Sequence, residues 1–206
     1  MNDDLKAARD DLAFMRGLVS DSANFNAAAG KLFFWAGLLY GGQCIGHFLN
    51  IVGLLPLAPL GYLALGFGPT VAFLVVLGWV IWQSRGEKQG GAASRAMNAA
   101  FTGAGLANLV MALVFAYGAS TMQNFTIWLY HPIVVCMFQG VAWYVAWMIR
   151  RRAWLGAASL GWFATTIVCG LLINHAGYFL LTLGTALLVL MALPGYVMLR
   201  TAAKPA

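Results

Sequence analysis

The sequence predicts an all-α membrane protein: a bundle of six transmembrane helices in three hairpins, both termini cytoplasmic, with an amphipathic cytoplasmic helix in front. Composition is the first observation behind it. Of 206 residues, 62% are hydrophobic and 9% charged, whereas a soluble domain carries about a quarter charged residues. The second is length, because six apolar stretches reach the roughly 20 residues that a spanning helix needs. They lie near 31–53, 60–83, 96–118, 126–149, 154–175 and 177–199. The third is the placement of charge. All 12 Lys and Arg fall before or at the first residue of the first stretch, between the second and third, between the fourth and fifth, or after the sixth. Basic residues flanking spans are held on the cytoplasmic side, so the bundle is expected in an inner, plasma-type membrane with both ends inside. The net charge of +6 is then a surface property that suits anionic headgroups, and it does not argue for nucleic acid.

Residues 1–24 form the expected cytoplasmic unit, 25–200 the bundle and 201–206 a tail. The first thirty residues contain Asp3, Asp4, Asp10, Asp11 and Asp21 and no apolar run, so they lack the pattern of a cleaved signal and are expected to be retained. Leu5, Ala8, Leu12, Met15 and Val19 alternate spacings of three and four. This is a narrow seam of coiled-coil type. Lipid-surface helices are usually basic, and this one is slightly acidic. Leu5, Leu12, Met15 and Val19 are therefore candidates for contact with a cytoplasmic protein partner or a second copy, with packing on the chain's own basic loops as the plainer alternative. Ser20 to Asn24 is expected to end the helix as a linker.

The first span carries Gly37-xxx-Gly41 and Gly42-xxx-Gly46, small residues that admit close helix approach, and is expected at the centre. Tyr40, Gln43, His47 and Asn50 line one of its faces, bordered by Cys44. The second span contains Gly66-Phe-Gly-Pro69, where proline removes a backbone donor and predicts a kink or break. The third has Asn98, Thr102, Gly105 and Asn108 along one side. In the fourth, Tyr130-His131-Pro132 reads as a helix start with proline near its first position. The fifth holds Ser159, and the sixth carries Pro194-Gly195 close to its inner end.

Counting depth at about 1.5 Å per residue from the basic ends places Gln43, Asn108, Gln139 and Thr165 roughly 17–23 Å into a core of about 30 Å. Such a layer serves as interhelical glue, or as a midplane ligand site beside a broken helix. His47, His131 and His175 form a second layer at roughly 24–35 Å. Each shares a span with a cysteine, which raises a soft-metal site at Cys44 and the histidines, or haem held by two imidazoles. Only Cys44 and His47, three apart, share a face.

No Asp, Glu, Lys or Arg lies inside a span, although such residues mark proton relays and ion pathways. Catalytic motifs such as His-Glu-x-x-His and Gly-x-Ser-x-Gly are missing as well. A non-enzymatic accessory, assembly or regulatory component acting through a partner is the first expectation. A small transporter or channel for a neutral or weakly polar solute is the second, and an outer-side metal or haem protein the third.

Overall fold

The computed structural model describes the backbone of residues 2–85 and 92–202 and the side chains of 27–85 and 93–201. It is all-helical over these residues: α1 (Asn2–Ile51), α2 (Pro59–Gln83), α3 (Ala92–Thr121), α4 (Thr126–Arg150), α5 (Ala153–Leu171), α6 (Ala176–Leu187), a π turn (Leu188–Ala192) and α7 (Leu193–Ala202). Among the described residues six helical stretches are long and apolar enough to cross a membrane, the last being α6, the π turn and α7 together. The chain is a multi-pass membrane protein.

Each connection has a local cause. Gly53 adopts φ +78° in the turn after α1, a conformation that glycine takes without a steric penalty. Pro59 opens α2 at a position where its missing N–H is no loss. Arg151 closes α4 in the left-handed region, with its N–H bonded to the carbonyl of Trp147. A two-residue turn therefore suffices between α4 and α5, which lie antiparallel.

Three expectations are corrected here. The first helix is not interrupted at Ser20 to Asn24; α1 runs unbroken from Asn2 to Ile51. That stretch contains neither proline nor glycine, and its Ser, Asp and Asn residues are weak helix formers rather than breakers. Of the kink or break expected at Pro69, the break does not occur, because the proline sits inside a continuous α2. The turn before it is braced by Gln43, whose amide donates to the carbonyl of Gly66 at 2.8 Å. The fourth span does not start at Pro132, because α4 begins at Thr126 and holds that proline in its interior. Its first turn is tightened by Ile127 and Trp128, whose N–H groups bond the carbonyls of Asn124 and Phe125. Pro194 does leave a mark: the N–H of Leu193, the residue before it, reaches back five residues to Leu188, the spacing of a π turn.

The helices are arranged as a curled row, α2, α1, α6 with α7, α5, α4, α3. The α1 helix packs most extensively on the last span. A Cβ added to Gly37 would stand 2.4 Å from the backbone nitrogen of Ala192, and one on Gly195 would stand 2.4 Å from that of Phe34. Backbone therefore lies on backbone, as small residues permit. Between α4 and α5, Gly140 faces Phe163 and Gly156 faces Trp147. The outer members of the row are lightly held: α2 buries only Val80, and no α3 residue beyond Met97 is buried. Among the described residues α2 and α3 do not touch each other. The row curls back on itself where Phe101 of α3 meets Phe33 of α1, with ring centroids 4.9 Å apart.

Candidate functional site

Tyr40, Gln43, His47 and Asn50 carry the polar stripe along one face of α1, and the contacts of that stripe run to α2. Tyr40 packs on Phe73 with centroids 5.6 Å apart. Gln43 donates to the Gly66 carbonyl, and His47 lies 6.4 Å from the ring of Tyr62. The Tyr62 hydroxyl donates to the amide oxygen of Asn50, whose nitrogen donates to the Leu55 carbonyl at 2.8 Å. At the basic end, Lys31 donates to Gln83 at 2.7 Å and lies over the ring of Trp79. An outer helix that buries almost nothing is thus fastened along its length by polar contacts.

The other polar groups of the expected layer, together with Ser159, divide into two sets. Ser159 donates to the Gly140 carbonyl at 2.9 Å and ties α5 to α4. Thr165 and Thr166 donate to the carbonyls four residues back, those of Gly161 and Trp162, and so satisfy themselves within α5. Asn108 and Gln139 differ: the side-chain oxygen of each is buried and has no partner among the described residues. The expected layer of Gln43, Asn108, Gln139 and Thr165 is therefore not one constellation. Gln43 and Thr165 are bonded to helix backbone, whereas the Asn108 and Gln139 oxygens, on the packed helices α3 and α4, are unpartnered among the described residues.

The three histidines have three different surroundings. His47 is beside Tyr62, His131 stacks on Trp128 at 5.0 Å and lies 3.3 Å from the Asn108 carbonyl, and His175 stands exposed just before α6. Cys44, Cys136 and Cys169 are free, buried and part of one core. Among the described residues no group of three or more His, Cys, Asp or Glu is placed to hold a metal ion. Leu5, Leu12, Met15 and Val19 have side chains outside the described residues.

No protein-family model, curated protein or solved structure matches the chain.

Sequence inspection misses Tyr62, Trp143 and Trp162. Tyr62 is the α2 anchor of both His47 and Asn50. Trp143 is the hub of an aromatic cluster, 5.2 Å from Phe33, 5.5 Å from Phe101 and 5.9 Å from Trp154. Tryptophans near span ends read as interfacial belt residues, and only burial distinguishes these two from the belt. Their indole N–H groups, like the two amide oxygens, lack partners among the described residues.

Proposed function

We propose that the chain is a membrane accessory or regulatory component that acts through a cytoplasmic protein partner bound to the seam of Leu5, Leu12, Met15 and Val19. The observation that carries this reading is the continuity of α1. Its first 25 residues precede the span at Ala27–Ile51 and extend the helix by about 38 Å. The span portion is the element that touches α2, α6, the π turn and α7. A partner gripping the seam would therefore hold one end of a rod whose other end is packed into the bundle. Its span is backbone-tight at Gly37, so a rotation or tilt of the rod has to displace the last span as well.

The orientation proposed with it is N-terminus and C-terminus inside. It is supported by Lys31, Arg85, Arg95, Arg150 and Arg200, which stand at alternating starts and ends of antiparallel spans and so share one side. Gln43 is committed to α2, which counts against a solute site at Pro69.

The test is co-purification after mild crosslinking in the native membrane. Deletion of residues 2–19 should remove the captured partner while the bundle still inserts. Ser22→Pro should leave capture intact but abolish whatever activity of the partner depends on this chain. Unchanged capture by the deleted form would end the proposal.

A further inference from the structure

Four buried side-chain atoms have no hydrogen-bond partner among the described residues: Asn108 Oδ1 on α3, Gln139 Oε1 and Trp143 Nε1 on α4, and Trp162 Nε1 on α5. Two are acceptors and two are donors. The indoles are enclosed, since Trp143 is 1% and Trp162 0% exposed. Buried polar atoms are almost always paired, with protein or with ordered water, because an unpaired one keeps the full cost of leaving water.

Helix register puts the four in one band. The contacts of Phe101 with Trp143 and of Gly118 with Ile127 fix α3 against α4, so that Asn108 lies within a turn of Gln139. The Ser159 bond to Gly140 and the contact of Gly156 with Trp147 fix α5 against α4, and Trp162 also comes level with Gln139. Gln139 and Trp143 are four apart, so they share a face of α4 one turn apart. The band spans roughly 10 Å of depth. Donors and acceptors are matched in number yet do not bond one another. The neighbouring polar groups are already engaged or weak: Ser159 is bonded to Gly140, and the three thiols are poor donors.

We propose that this band is a binding site for internal water. A water molecule supplies what each group lacks, accepting from an indole N–H and donating to the amide oxygens. One that accepts from Trp143 and donates to Gln139 and Asn108 makes the roughly three bonds typical of a buried water. A second serves Trp162. The inference is independent of the partner proposal, which concerns the N-terminal part of α1.

The experiment is magnetisation transfer from water to the indole protons of full-length protein labelled with 15N-tryptophan in lipid nanodiscs. Trp143→Phe and Trp162→Phe assign the two signals. Both are expected to receive magnetisation from water, and Asn108→Leu with Gln139→Leu is expected to reduce that transfer to the level of main-chain amides in the same helices. Gln139→Met alone, which preserves volume, should diminish the Trp143 signal if the double variant does not fold. Absence of transfer to both indoles in the wild-type protein would overturn the proposal. So would transfer that persists undiminished in a folded variant lacking the amides.

Discussion

Gln43 shows how a polar residue inside a span can be structural. Its amide is spent on a helix carbonyl one turn before Pro69, the turn that proline disturbs. Gln43→Leu is expected to lower bundle stability by about 0.6 kcal/mol, and by no more than about 2, measured as reversible unfolding in mixed micelles. Tyr62→Phe should cost a similar amount by releasing Asn50, and a loss of binding or transport without a loss of stability would refute the structural role of the stripe. That Gln43 would need a partner is legible in the sequence, because a buried amide inside an apolar span has to be satisfied. Its partner is not, since a backbone carbonyl has no sequence signature. The same blindness hides Trp143 and Trp162, whose indoles resemble those of an interfacial belt until their burial is known.

At the scale of elements, the two Gly-xxx-Gly pairs of α1 separate by use. Gly37 and Gly41 face the last span, and Gly46 faces Leu65 of α2, while a Cβ on Gly42 would meet nothing within 4 Å. Gly37→Ala and Gly195→Ala should each destabilise by about 1–3 kcal/mol, because the intruding atom meets backbone that cannot step aside. Gly42→Ala should leave stability unchanged or raise it by up to about 1 kcal/mol through helix propensity. The thermal midpoint of the solubilised protein separates these outcomes. The glycine pattern in the sequence predicts a central α1 correctly, but it cannot say which glycines touch which neighbour. The prolines are harder to read. Pro69 and Pro132 sit within continuous helices, and Pro194 follows a π turn, since neighbouring groups decide whether a missing N–H breaks a helix or is absorbed.

For the whole molecule, the presence of six long apolar helices is legible because hydrocarbon demands them. The arrangement of the row is not, since a face turned to lipid and a face turned to protein are equally apolar; nothing in the sequence marks α3 as the lightly buried edge. The orientation proposal is checked with single cysteines in a cysteine-free background. Arg152→Cys should react with an impermeant maleimide only in inside-out vesicles, and Gln123→Cys only from the outer side. The central claim is that α1 is one rod joining a partner-binding seam to the middle of the bundle. Its most direct test is the distance between spin labels at Val19→Cys and Ile51→Cys in the same background, measured by pulsed electron resonance in nanodiscs. An unbroken helix predicts a narrow distribution centred near about 48 Å. A broad distribution, or one centred well below that value, would mean a joint at Ser20 to Asn24 and would contradict the account.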